Sequence, residues 1–191
     1  MSDISSKIEL RRRLRAQRAA LAAALPDAAA QAANLLPLER VPAHTVFAAY
    51  HPMGSEMGPG PLSGRLIAAG CQLALPVAES REAPLTFRAW HPGEALVPDA
   101  LGVLAPPPSA ASLRPDLVIT PLLAFDRQGG RLGQGGGHYD RTLAALRASG
   151  PVFVLGLAYA GQEVDPMELE AHDQRLDAIL TETGYRELKA S

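Results

Sequence analysis

The alternation of apolar and polar positions divides the chain into strands and helices. Short apolar runs bounded by turn residues predict strands at Thr45–Tyr50, Gln72–Val77, Leu85–Ala89, Leu117–Thr120, Val152–Ala158 and about Ala178–Thr181. Helical spacing predicts helices at Lys7–Leu25, Asp27–Leu36, Leu62–Ala69 and Arg141–Ser149, with a short one at Pro166–Glu170. In the first helix Ile8, Leu14 and Leu21 form an apolar stripe with Leu10, Ala22 and Leu25 near it, and the helix ends before Pro26. Strands alternating with helices imply an α/β fold: a single domain over residues 1–191 with an open, mostly parallel sheet and helices on both faces. Ligands of such sheets bind beyond the carboxyl ends of the strands. Tyr50–Glu56, Phe125–Asp140 and Ala158–Gln162 each follow a predicted strand, so all three are expected at one edge. The Pro-rich run from Ala105 to Ser112 reads as an extended connector, too short to separate two domains.

Composition narrows the classes. At 191 residues, 47% hydrophobic and 20% charged, the chain is long enough to bury a core without disulfides. A single cysteine, Cys71, excludes an intrachain disulfide framework and a multi-cysteine zinc site, and it reads as a packed thiol. No run approaches the ~18 apolar residues of a membrane span, and no signal-peptide core is seen, so the cytoplasm is the expected compartment. The net charge of −2 argues against a general nucleic-acid binder. Charge is nevertheless uneven. Lys7, Arg11, Arg12, Arg13, Arg15 and Arg18 crowd a basic helix at about residues 5–25, and Lys7 and Arg11, four apart, share one helix face. The segment is open to three readings: a solvated basic surface, a polyphosphate contact, or a transit peptide, the last opposed by Asp3, Glu9 and the helical pattern that follows.

The densest chemistry lies between Phe125 and Arg141. Six glycines fall from Gly129 to Gly137, interleaved with Asp126, Arg131, Tyr139, Asp140 and Arg141. Glycine loses the most entropy on folding, so such a run is costly unless something binds there. Its amides can form an anion-holding nest at the start of the next helix, and Arg131 and Arg141 can add directional phosphate contacts. A flexible hairpin or linker is the competing reading. A strand before the loop and a helix after it favour a polyphosphate-binding turn. The loop has neither the Gly-Lys-Ser/Thr ending of a P-loop nor dinucleotide-type glycine spacing.

With those residues in view, Arg131-Leu-Gly-Gln-Gly-Gly-Gly-His-Tyr-Asp140, preceded by Pro121 to Asp126, resembles the signature of the 5-formyltetrahydrofolate cyclo-ligases, also called 5,10-methenyltetrahydrofolate synthetases. Three further blocks are similar to the family's in order and spacing: Lys7-Ile-Glu-Leu-Arg11, Tyr50-His-Pro-Met-Gly-Ser-Glu56, and Gly156 to Gln162 followed by Glu170-Ala-His-Asp173. The chain departs from the family's pattern at Gln134 and His138, where Tyr is common, and at Ala105, where Glu often stands.

The resemblance implies that ATP and magnesium serve to convert 5-formyltetrahydrofolate to 5,10-methenyltetrahydrofolate, with release of ADP and phosphate. It implies ATP contacts from Lys7, Arg11 and the run Arg131, Leu132, Gly133, Gln134, Gly135, Gly136, Gly137, His138 and Tyr139. Of these, Arg131 and Tyr139 are the catalytic candidates. Folate contacts are implied for His51, Glu56 and Gln134 to His138, with Glu56 on the amino-pyrimidine edge of the pterin. Asp140 and Asp173 are the implied magnesium carboxylates, although Asp140 also suits a helix N-cap. Phe87, Trp90 and Tyr159 are candidates to stack on the pterin, or else core aromatics. A monomer with a small-molecule substrate is expected, without nucleic-acid or membrane partners. Two rivals remain: an α/β enzyme akin to phosphosugar isomerases or CoA-transferases, and a nucleic-acid-binding regulatory module using the basic helix.

Overall fold

A computed structural model describes residues 2–40 and 46–188 of the chain. Its elements are α1 (Ser2–Ala24), α2 (Ala28–Leu35), β1 (Val46–Ala48), α3 (Gly60–Ala68), β2 (Gln72–Val77) and β3 (Thr86–Ala89). A hairpin of β4 (Val97–Pro98) and β5 (Leu104–Ala105) follows, then β6 (Leu117–Thr120) and a second hairpin of β7 (Ala124–Phe125) and β8 (Arg131–Leu132). The chain closes with α4 (His138–Ser149), β9 (Phe153–Leu157), β10 (Ala178–Thr181) and β11 (Gly184–Glu187).

Seven strands form one sheet in the order β11-β10-β9-β6-β1-β2-β3. The central five are parallel, and β3 and β11 pair antiparallel at the two edges. The expected mostly parallel sheet is therefore what forms, and its register explains the sequence. Phe47 pairs with Leu73 and Leu117, while the next position, Ala48, pairs with Ala74 and Val118. Successive side chains of a strand point to opposite faces. The Leu73–Phe47–Leu117 row packs against Ala32 of α2, Leu36 at its C-cap, and Leu62 and Leu66 of α3. The Ala74–Ala48–Val118–Val154 row packs against Leu143 and Leu146 of α4. Both faces are covered, which is why Leu117-Val-Ile-Thr reads as continuous apolar sequence instead of an alternation. Each fully buried Leu or Phe in these rows contributes roughly 1.5–3 kcal/mol.

Three expectations change. Pro166–Glu170 is not helical. Five residues cannot offset helix nucleation, and the Met167 and Glu170 amides donate instead to the carboxylates of Asp126 (2.9 Å) and Asp173 (2.8 Å). The fourth helix begins at His138, three residues before the predicted Arg141. In α1 the inward stripe omits Ile8, which is 61% exposed, and Leu10 is also exposed. The positions that turn inward are Leu14, Arg18, Leu21 and Leu25, at i, i+4, i+7 and i+11. Thr45, the predicted start of the first strand, lies outside the described residues.

Candidate functional site

The glycine loop is built on a carboxylate. Asp126, just past β7 and almost fully buried, accepts from the Gln128 and Gly130 amides on Oδ1, both at 2.8 Å, and from the Met167 amide on Oδ2. This turns the chain back into β8 and fastens the 166–170 segment alongside. Beyond Leu132 the loop rises to Gly135 (φ +102°) and Gly137 (φ +67°), backbone conformations that favour glycine. Gly137 is the N-cap of α4, so Asp140 sits inside the first turn and does not cap the helix. Asp140 Oδ1 accepts from Arg131 Nη2 at 2.6 Å and from the Gln174 amide at 3.1 Å.

A cavity of about 590 Å³ opens against this loop. Lys7, Arg11, His51, Glu56, Arg131 through Asp140, and Asp173, all candidates from the sequence, line it. The basic helix supplies one end. Lys7 pairs with Glu170 at 2.9 Å, Arg11 Nε donates to the Gly133 carbonyl, and Arg15 Nε donates to Gln134 Oε1 at 2.8 Å. Arg131 has a side chain 3% exposed, lies 5.7 Å from the Tyr139 ring centroid, and keeps a buried Nε with no hydrogen-bond partner among the described residues. A buried donor left without an acceptor is costly. Arg141 departs from expectation: it lies outside the cavity lining and donates to the Arg81 and Gly136 carbonyls, bracing the loop from behind.

The other walls are of a different kind. Pro76, Leu85, Leu101 and Leu104 give an apolar surface. The β4–β5 turn that carries Leu101 is shaped by Asp99, whose carboxylate accepts from the Leu101, Val103 and Ala78 amides. Glu56 is buried there, its Oε2 accepting from the Met53 amide at 2.9 Å. Tyr50 donates to the Met57 carbonyl at 2.5 Å. Burial, reinforced by the Glu56 charge, pushes the Tyr50 and Tyr139 phenols well above the usual tyrosine range, against opposing pulls from Arg18 and Arg131 respectively. His51 is exposed at the rim. None of Phe87, Trp90 and Tyr159 lines the cavity: Phe87 and Tyr159 are core residues, and Trp90 packs against the core with its indole N–H on the Glu94 carbonyl. Cys71 is half-buried against the core, and burial raises its thiol pKa. Among the described residues no group of three or more His, Cys, Asp and Glu side chains is gathered as a metal centre.

Two structural anchors were not singled out from sequence. Arg18, one of six clustered basic residues, turns inward and joins Ser55, Glu56 and the Leu122 carbonyl. Its signal was present, since Lys7, Arg11, Leu14 and Arg18 recur at i, i+4, i+7 and i+11 on one helix face. Gln162 is buried, and its amide nitrogen donates to the Leu122 and Leu123 carbonyls while its oxygen accepts from the Tyr159 amide. These two side chains bind the ends of β1, β6 and β9 into one rim.

Fold and cavity together define an α/β protein with a candidate ligand cavity at the carboxyl edge of a parallel sheet, under a glycine loop and a basic helix. The model of the 5-formyltetrahydrofolate cyclo-ligase family matches residues 3–182. The 5-formyltetrahydrofolate cyclo-ligase of Mycolicibacterium smegmatis is 36% identical over 141 residues, covering 70% of this chain and 71% of that protein. That of Escherichia coli K12 is 38% identical over 148 residues, covering 74% and 79%. The NMR structure of Aquifex aeolicus 5,10-methenyltetrahydrofolate synthetase is similar at a TM-score of 0.75 and 25% identity, over 97% of this chain and 94% of that one. The Mycoplasma pneumoniae 5,10-methenyltetrahydrofolate synthetase shares the fold at a TM-score of 0.70 and 21% identity, over 92% and 98%. The chain belongs to the 5-formyltetrahydrofolate cyclo-ligase family. No helix among the described residues is long and apolar enough to cross a membrane.

Proposed function

We propose that this chain uses ATP to convert 5-formyltetrahydrofolate to 5,10-methenyltetrahydrofolate, releasing ADP and phosphate. The observation that carries the proposal is one cavity in which Lys7, Arg11, Arg131 and the glycine loop, with the carboxylates of Asp140, Glu168, Glu170 and Asp173 among them, meet an apolar end bearing the Glu56 carboxylate. That combination suits a polyphosphate beside a flat heterocycle.

The chemistry follows from a leaving-group problem. A formamide oxygen departs poorly as oxide, so the formyl oxygen attacks the γ-phosphorus and ADP leaves. The neighbouring amine nitrogen, N10, then adds to the activated formyl carbon and loses its proton. Phosphate departs with the former formyl oxygen, and the methenyl bridge remains. Phosphoryl transfer asks a protein mainly for positioning and charge neutralisation. Lys7 and Arg11 would meet the phosphates, and Arg131 would turn its unpartnered Nε toward the transferring group. Tyr139, kept protonated by burial, would donate a hydrogen bond without adding negative charge. Glu56 would accept from the amino-pyrimidine edge, with His51 at the mouth.

The carboxylates present fit a magnesium ion. Asp140 uses only Oδ1 for Arg131 and Gln174, and Asp173 uses Oδ2 for the Glu170 amide while its Oδ1 lies 3.9 Å from His172 Nε2, so one oxygen of each accepts no hydrogen bond among the described residues. Magnesium takes one or two carboxylates along with phosphate oxygens and waters, which matches the absence of a larger donor cluster among the described residues. When bound, it would neutralise charge on the β- and γ-phosphates.

The test is isotopic. Substrate labelled with ¹⁸O at the formyl group should yield phosphate carrying that oxygen; label appearing in water would refute activation by phosphorylation.

A further inference from the structure

We infer that Arg18 is the positioning residue of the Glu56 carboxylate, fixing the plane in which it accepts the N–H donors of the substrate's heterocycle. The inference rests on the proposed reading of the site, in which Glu56 meets the pterin.

Arg18 and Glu56 have side chains 5% and 6% exposed, and Arg18 Nη1 lies 3.4 Å from Glu56 Oε1. The same nitrogen donates to the Leu122 carbonyl at 3.2 Å, and Nε donates to Ser55 Oγ at 3.2 Å. Two nitrogens of one planar fork thus reach three acceptors on two different loop segments, after β1 and after β6. The second oxygen of Glu56 is held independently by the Met53 amide. The carboxylate is therefore gripped at both oxygens from the protein side while its residue lines the cavity. Arg18 itself does not line the cavity, so it acts on a ligand only through Glu56.

Charge gives the arrangement its reason. A buried carboxylate without a partner is strongly disfavoured, and an apolar cavity needs one that is both ionised and immobile to receive two adjacent N–H groups. Arginine meets this need and lysine does not, because an ammonium is a point donor that cannot span Ser55, Glu56 and Leu122 in one plane. The guanidinium also couples α1 to the pterin end. Lys7 and Arg11 lie on the same helix face, so one rigid helix sets the distance between the phosphate contacts and the heterocycle acceptor.

The test uses the full chain carrying Arg18→Lys, with steady-state kinetics in both substrates and a melting curve. The expected result is a rise in KM for 5-formyltetrahydrofolate of about tenfold or more, the weight of a hydrogen bond to a charged group, with kcat and the KM for ATP unchanged. In a Glu56→Gln background the same substitution should add no further rise, because its route to the ligand is already cut. An unchanged folate KM, an additive rise in the double variant, or equal losses in kcat and both KM values that track a lower Tm would overturn the inference. Should Arg18→Lys fail to fold, Ser55→Ala removes one acceptor while keeping the ion pair; it should raise the folate KM by less than Arg18→Lys is expected to and leave kcat intact, and an unaltered folate KM would overturn the inference. Absence of turnover by the wild-type chain removes the functional reading and this inference together, whereas turnover with unaltered folate KM in the variants removes the inference alone.

Discussion

Arg131 and Asp140 close the glycine loop like a clasp. The guanidinium Nη2 sits 2.6 Å from Oδ1 across the eight residues between them, leaving Nε buried and unpartnered. One planar fork thus holds the loop and keeps a further donor without a partner among the described residues. Lysine can do only one of these. Arg131→Lys is therefore expected to lower kcat/KM for ATP by about 10- to 100-fold, the loss of one hydrogen bond to a charged group. Steady-state kinetics with a melting curve check this; full catalytic efficiency in the lysine variant would contradict the clasp.

Gly135 stands at φ +102°, where a Cβ would meet Arg11 Cζ at 3.3 Å. A β-branched residue is doubly unsuited to this position, by backbone strain and by contact with a proposed phosphate ligand. Gly135→Val should weaken ATP binding on the order of tenfold or more, one charged hydrogen bond or its equivalent. The backbone strain should also lower the Tm, so the titration is run below the variant's melting range. Calorimetric titration with ATP decides, and an affinity equal to wild type counts against a nucleotide role for the loop.

For magnesium, Asp173 is the cleaner probe because Asp140 also carries the clasp. Asp173→Asn keeps an oxygen that can accept the Glu170 amide and removes the charge. The magnesium concentration for half-maximal turnover should rise severalfold, roughly the worth of one carboxylate ligand, with folate KM unchanged. Superimposable magnesium titrations would take Asp173 out of the metal site.

The raised phenols give a pH signature. Tyr139 is held neutral in the folded chain, chiefly by burial and then by the Glu56 charge, but ionises near pH ~10 once unfolded. Its stabilisation is complete below about pH 10 and declines as pH rises beyond, because the unfolded chain then releases the proton that the folded chain retains. The Tm should fall between about pH 9.5 and 11, and less steeply in Tyr139→Phe. Parallel profiles for the two proteins would show that the phenol is not the cause.

The sequence was most legible where one physical signal dominated. Gln72–Val77, Leu117–Thr120 and Ala178–Thr181 form strands with the predicted bounds, because buried parallel strands are short apolar runs between turn residues. The loop stood out because so much glycine needs a reason. The β4–β5 and β7–β8 hairpins escaped notice because a two-residue strand has no period to detect. Asp126 read as a charge beside the loop, but only the fold reveals that it organises the turn. Arg18 was hidden among like neighbours. Composition reports six basic residues; helical spacing puts Arg18 on the face of Leu14, and the fold shows that it meets Glu56 while Arg12 pairs with Glu9 on the exposed face.

The central claim is that the two ends of one cavity act on two substrates in a coupled reaction. Purified chain should therefore be followed spectroscopically for methenyltetrahydrofolate while ADP is measured in parallel. The account predicts product only when 5-formyltetrahydrofolate, ATP and magnesium are all present, with one ADP formed per methenyl product. Product without ATP, or ADP release indifferent to the folate, would contradict it.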